Sequence, residues 1–191
     1  MLKNTWGRSN MTDTQWHRFE VFVQEKAGEP HQNVGTVHAP DEEIALQNAR
    51  DVFVRRPDCV SLWVVPAEMV FAKTAQELAE DSSWRDDKID PARRDEEYYV
   101  FQKQSSRASA TFVTYAGRVQ AQTPAQALSL ALVTWSESRP FVWWVFPACA
   151  VTRSQPEDVD SMFATAKSKA YRHSTQYHTV TQMKQVKSGK T

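Results

Sequence analysis

The chain has 191 residues, 41% of them hydrophobic and 11% aromatic, with 23 basic and 23 acidic side chains and a formal net charge of zero. This composition excludes a disordered, collagenous or disulfide-stapled class, and the length suits one generous domain or two small ones. Residues 1–97 carry 12 basic and 19 acidic side chains and residues 98–191 carry 11 and 4, so the halves stand at −7 and +7. No apolar run of about 18 residues and no leader pattern occurs, which makes a cytoplasmic protein without a membrane contact the expectation. The five glycines build no phosphate-cradling loop and no dinucleotide fingerprint.

In chain order, residues 1–15 are expected to be a flexible N-terminus. The aromatic and β-branched run Phe19–Val23 predicts a strand, and a second follows around Val34 to His38. Asp41 is the candidate N-cap of a helix with Glu42 and Glu43 in its first turn, and Leu46, Ala49 and Phe53 fall on one face. The string SLWVVPA, Ser61 to Ala67, is a closing strand ended by Pro66, which has no N–H for a further ladder bond. Thr74-Ala-Gln-Glu77 has the pattern of a capping box opening a short helix, and a charged stretch over 81–97 reads as a linker.

The same series then returns. Tyr98-Tyr99-Val100-Phe101 falls under Phe19-Glu20-Val21-Phe22, and a strand is expected over Phe112 to Gln120, with Gly117-x-Val119-x-Ala121 under Gly35-x-Val37-x-Ala39. Thr123 caps a helix with Pro124 in its first position and Leu128, Ala131, Leu132 and Trp135 on its face. VWWVFPA, Val142 to Ala148, is the second closing strand, followed by the pattern of a capping box at Ser154-Gln-Pro-Glu157. The expected fold is α+β: two tandem ββαβ repeats, over 16–80 and 98–165, packed as a pseudo-two-fold dimer with a short helix after each. A basic tail over 166–191, holding Lys167, Lys169, Arg172, Lys184, Lys187 and Lys190, completes the chain.

Along Leu62-Trp63-Val64-Val65 both faces of the strand are apolar, and one helix covers one face only. The other, carrying either Trp63 and Val65 or Leu62 and Val64, requires the second repeat, another chain, or both. The second repeat is richer still in large aromatics, so Trp63, Val65, Tyr99, Phe101, Trp143 and Trp144 are candidate interface residues. Arg55 and Arg56, one turn beyond Arg50, join them as anion-binding candidates or as a solvated helix end.

Catalytic and metal constellations are not found by spacing. His31 and His38 lack a Glu-x-x-His pattern, His173 and His178 fall in the basic tail, and Asp41, Glu42 and Glu43 are explained by capping. Cys59 and Cys149 have no redox or metal spacing and are expected to be buried and reduced. Arg and Lys lie mostly outside the strands, so a nucleic-acid partner is not expected.

The words FEVFVQEKAGEPHQNVGTVHAPDEEIALQNARDVFVRR and SLWVV, together spanning Trp16 to about Ala67, resemble the phenylacetic acid degradation protein PaaB family, the small B-type components of phenylacetyl-CoA epoxidase. The resemblance implies a cytoplasmic, non-catalytic subunit that holds no metal or cofactor. Its implied partners are a di-iron catalytic A-type subunit and a structural C-type subunit, which the B-type component bridges, with electrons reaching the complex through a reductase. Family members have about one repeat's length of chain, and their usual His-x-His before Val-Gly stands here as His31-Gln32-Asn33. The sequence therefore implies a fused, B-like pseudo-dimer, monomeric or a homodimer. A second reading, from the residues alone, is a stand-alone α+β module binding a small acid or a coenzyme A ester between the repeats.

Overall fold

The computed structural model describes residues 16–54, 59–85, 92, 94–105 and 113–163. The expectations for the N-terminus, the basic tail with His173 and His178, Arg55, Arg56, Phe112 and linker residues 86–91 and 93 lie outside the described residues.

The chain is α+β, and among the described residues eight strands form one antiparallel sheet. In the first half, β1 (His17–Gln24), β2 (Gln32–Ala39), helix α1 (Glu42–Phe53) and β3 (Ser61–Pro66) follow one another. In the second half the order is β5 (Glu96–Lys103), β6 (Thr114–Ala121), α3 (Pro124–Thr134) and β7 (Val142–Pro147). Registers agree across the halves. Phe19 lies opposite Pro66 and Tyr98 opposite Pro147, and the β1–β2 and β5–β6 ladders are both interrupted after the third residue of the apolar run, at Val21/Phe22 and Val100/Phe101.

Two strands have no counterpart among the expected elements. After Pro66 a 3-10 turn at Ala67–Met69 leads into β4 (Phe71–Thr74), and after Pro147 a 3-10 turn at Ala148–Ala150 leads into β8 (Thr152–Arg153). Each crosses to the other half: β4 pairs with β7 and β8 with β3. The sheet order is β4-β7-β5-β6-β2-β1-β3-β8. Only the four residues 67–70 separate the end of β3 from the start of β4, so Pro66 and Phe71 are at most about 18 Å apart. Yet these strands stand far apart in the sheet order, so the sheet must curl until β3 and β7 approach.

Helix starts follow the sequence closely. Asp41 Oδ1 accepts from the Ile44 N–H at 2.8 Å, Thr123 Oγ1 from the Gln126 N–H at 3.2 Å, and Thr74 and Glu77 form a reciprocal box ahead of α2 (Ala75–Glu80). The box expected at Ser154 does not form. Its hydroxyl instead accepts from the Leu62 N–H at 3.0 Å while its own N–H donates to the Leu62 carbonyl, so it extends the β3–β8 seam, and α4 (Val159–Phe163) begins later. Ser154 is buried, and the helix-capping geometry loses to this non-local pair.

Among the described residues, alternation on the strands creates three cores. Leu62 and Val64 join Phe19, Val21, Ala45 and Ala49 beneath α1, with Phe163 of α4 closing the group. Tyr98, Val100, Trp143 and Val145 pack beneath α3 with Leu128 and Ala131. On the opposite faces, Phe22 and Val65 of the first half meet Tyr99, Phe101 and Phe146 of the second. Each large side chain so buried contributes roughly 1.5–3 kcal/mol. Gly35 and Gly117 explain a repeated word of the sequence. A Cβ at Gly35, where φ is +141°, would lie 2.9 Å from the Phe53 ring, and one at Gly117 would overlap the Trp135 ring. In both halves the aromatic at the end of the helix lies on bare backbone of the second strand.

The cysteines correct the expectation in part. Cys59 is buried, and burial pushes its thiol up to about 11, but Cys149 sits on the 3-10 turn after Pro147 and is exposed. On this turn Ala148 and Ala150 pack against the core between the halves, and Cys149 between them is left exposed.

Candidate interaction site

The strands facing each other across the two halves bring side chains together that are far apart in sequence. Tilted and T-shaped rings run through the centre: Phe22 lies 4.6 Å from Phe101 and 5.3 Å from Phe146, and the edge of Trp144 meets Phe22 at 6.3 Å between centroids. The ladder between β2 and β6, at the middle of the sheet, is short. Gln32 pairs with Thr114, the Asn33 N–H donates to the Val113 carbonyl at 2.8 Å, and the Tyr115 N–H donates to the His31 carbonyl at 2.9 Å. His31 and Val113 are therefore reciprocal positions on the two sides of this joint.

At the β3–β8 edge the rings become a stack capped by a cation. His31 lies on Trp63 at 3.7 Å, Trp63 on Tyr99 at 5.2 Å, and the Arg153 guanidinium sits over both Trp63 (4.9 Å) and Tyr99 (5.3 Å). Arg153 Nη2 also donates to the Tyr99 hydroxyl. His31 Nε2 is 3.0 Å from Ser61 Oγ, and burial, with Arg153 adding its field, lowers the imidazole to about 4, so it is neutral at pH 7. Tyr115 meets Tyr99 edge-on at 5.8 Å, and burial raises its phenol above the ordinary value.

On the first-half side the corresponding strand positions carry a polar pair. Burial raises the Glu20 carboxyl, against the opposing effects of a 3.2 Å hydrogen bond from Asn33 Nδ2 and the charge of Arg18, 3.7 Å away. The same Asn33 amide donates to the Val21 carbonyl at 3.1 Å, which anchors it at the irregularity of the ladder.

The candidate interface residues take different places. Trp63 and Trp144 are half-buried on the faces between the halves, and Tyr99 is buried there except for an exposure of 7%. Val65 and Phe101 are fully enclosed in that same region, so the chain's own core occupies them. Trp143 faces the other way, under α3, where Leu62 lies in the first half under α1. Arg153 and His31 carry much of this stack, and neither stands among the interface candidates of the sequence. Arg153 is distant in sequence from every partner it touches, and only the unexpected β8 brings it there.

Other surfaces are chemically simpler. An open cleft of about 890 Å³ lies by the start of α1, lined by Trp16, Arg18, His38, Asp41, Glu42 and Glu68 among others, and His38 Nδ1 is 2.8 Å from the Trp16 carbonyl. Asp41 is occupied as the N-cap. The outer face of α3 exposes Leu130 and Val133. Among the described residues no group of three or more His, Cys, Asp or Glu is placed to hold a metal ion, and no helix is long and apolar enough to cross a membrane.

A family model described as phenylacetic acid degradation B matches residues 15–106 and again residues 95–184. A relative from Escherichia coli (strain K12), described as the B component of 1,2-phenylacetyl-CoA epoxidase, is 44% identical over 70 residues, covering 37% of this chain and 74% of the relative. No solved structure matches.

Proposed function

The chain belongs to the phenylacetic acid degradation B family, which it matches twice over, and from this premise we propose that it is a bridging, non-catalytic subunit of a di-iron oxygenase of the phenylacetyl-CoA epoxidase type. In this reading two ββαβ units, about 16–80 and 98–165, are fused by the charged segment 81–97 and packed as a pseudo-two-fold pair. The fusion makes pairing independent of concentration. One such chain then presents two related but unlike surfaces to the catalytic A-type and structural C-type subunits in the cytoplasm.

The observation that carries this reading is how the faces between the halves are used. Phe22, Val65, Tyr99, Phe101 and Phe146 fill them with apolar contacts, which supports a scaffold rather than a chamber for a reacting molecule. This also counts against a small acid or coenzyme A ester lodged between the repeats. The test is coexpression with neighbouring oxygenase subunits followed by gel filtration and activity assay. A stoichiometric complex is expected, with turnover lost when this chain is omitted; separate elution of all components sinks the proposal.

A further inference from the structure

Arg153 is exposed, yet it is held in place. Its guanidinium lies over two rings, Trp63 and Tyr99, and its Nη2 is fixed by the Tyr99 hydroxyl. A guanidinium carries five N–H donors in one plane, and among the described residues the Nε–H, the Nη1 hydrogens and the second Nη2 hydrogen of this one have no acceptor, so one pair of parallel N–H groups that includes Nη2 stays open. Other arginines of the sheet and of α1 are paired: Arg18 with Glu20, Arg50 with Asp51 and Arg118 with Glu97. Arg153 combines an open fork with a rotamer already restricted by aromatic plates, so little side-chain entropy remains to be lost when an acid arrives.

Its counterpart in the other half shows that sheet closure does not require it. Arg153 lies opposite Trp63 on β3, whereas Ala72 lies opposite Trp144 on β7. The strand pairing is made equally with Ala, and at this position, among the described residues, the β3–β8 edge alone carries a cation; Lys73, next to Ala72 on β4, lies instead over the Phe71 ring.

The geometry points to Arg153, clamped over Trp63 and Tyr99, as a docking anchor that takes a single carboxylate from the surface of a partner subunit. Arg beside Trp and Tyr is the composition of an interface hot spot, and a planar fork binds a carboxylate through two parallel N–H···O bonds. A coenzyme A phosphate is a poorer match: its charges call for several donors, and the nearby Arg118 is already engaged by Glu97 at 3.1 Å. Because Ala72 holds the corresponding place, the anchor also gives the bridge a direction, with the acidic partner at the β3–β8 edge and not at the β4–β7 edge. The inference rests on the bridging reading and names one contact within it.

The experiment measures the affinity of the full chain for the coexpressed oxygenase subunits, with Arg153→Gln, Arg153→Lys and Arg153→Glu beside the wild type. Affinity is expected to fall about tenfold or more in Arg153→Gln and further in Arg153→Glu, with Arg153→Lys between Gln and wild type, since it keeps the charge without the fork. The wild-type affinity should weaken with added salt more steeply than that of Arg153→Gln. Thermal midpoints are compared throughout, and if Arg153→Gln is unfolded the Lys variant and the salt series decide. Binding of Arg153→Gln within about twofold of wild type, with equal salt slopes, overturns the anchor while leaving the bridging role intact. Absence of any wild-type complex overturns both. If coenzyme A alone stabilises the wild type and not Arg153→Gln, while complex affinity is unchanged, the site belongs to a phosphate and the proposal fails.

Discussion

Glu20 and Tyr99 stand at the same point of β1 and β5, one opposite Val65 and the other opposite Phe146. Their neighbours across the irregular ladder differ in the same way. Asn33 lies opposite Phe22 and donates to Glu20, whereas Tyr115 lies opposite Phe101 and packs against Tyr99. The registers match, so the backbone tolerates either a hydrogen-bonded polar pair or a pair of rings at this place. In a homodimer any such exchange occurs twice and must suit both sides at once. In a single chain it occurs once, and one edge can gain a cation stack while the other keeps Ala72.

The centre of the core offers the most severe test of this comparison. Phe22→Ala and Phe101→Ala are each expected to cost about 3–5 kcal/mol in denaturant unfolding, because both rings are fully buried and touch each other. The double variant should show a coupling of about 0.5–1.5 kcal/mol. Single costs that differ by more than about 2 kcal/mol would break the equivalence of the two positions.

The reciprocal pair His31 and Val113 sharpens it through pH. Folding lowers the His31 imidazole from 6.5 to about 4, so the native state binds the proton less readily than the unfolded chain. The stability that follows is fully present above pH 6.5 and is lost as pH falls toward 4. Relative to His31→Val, the wild type should therefore lose on the order of 2–3 kcal/mol across that window, measured by urea melts at successive pH values. Parallel curves for the two proteins would remove the buried neutral imidazole from the account.

The smallest effect concerns the caps. Asp41→Ala and Thr123→Ala are each expected to cost about 1 kcal/mol. The loss should be slightly larger at Asp41, whose carboxylate also meets the positive end of the helix, while Pro124 restrains the start of α3 whether or not Thr123 is present. Thermal melts of the two variants read the difference, and a larger loss at Thr123 contradicts it.

What the sequence displays plainly is local. Asp41, Thr74 and Thr123 cap as their spacing implies, Pro66 and Pro147 end the closing strands, and the recurrence of Gly35 and Gly117 with Phe53 and Trp135 marks a shared packing need. The two-sided apolar character of Leu62-Trp63-Val64-Val65 demands a second covering layer, but periodicity alone leaves open which face α1 takes. The structure assigns Leu62 and Val64 to the helix side. Strands β4 and β8 are hidden because four and two residues carry too little pattern, and their pairing depends on an edge in the other half. Ser154 misleads for the same reason, since a local capping pattern competes with a backbone partner, Leu62, far away in sequence. Arg153 inherits that obscurity, and the candidate site is legible in its aromatics but not in its cation.

The crossing of β8 onto β3 also sets an order in time. The outer edge of β3 finds its strand partner only when Thr152 and Arg153 exist, and a ribosome adding about 5–20 residues per second takes roughly 4–18 s to pass from Val64 to Thr152. During that interval an apolar strand with a free edge is present, a template for wrong pairing. The first unit to be made is thus the last to be closed, and the nascent chain's exposure to misassembly is set by the length of its own second half.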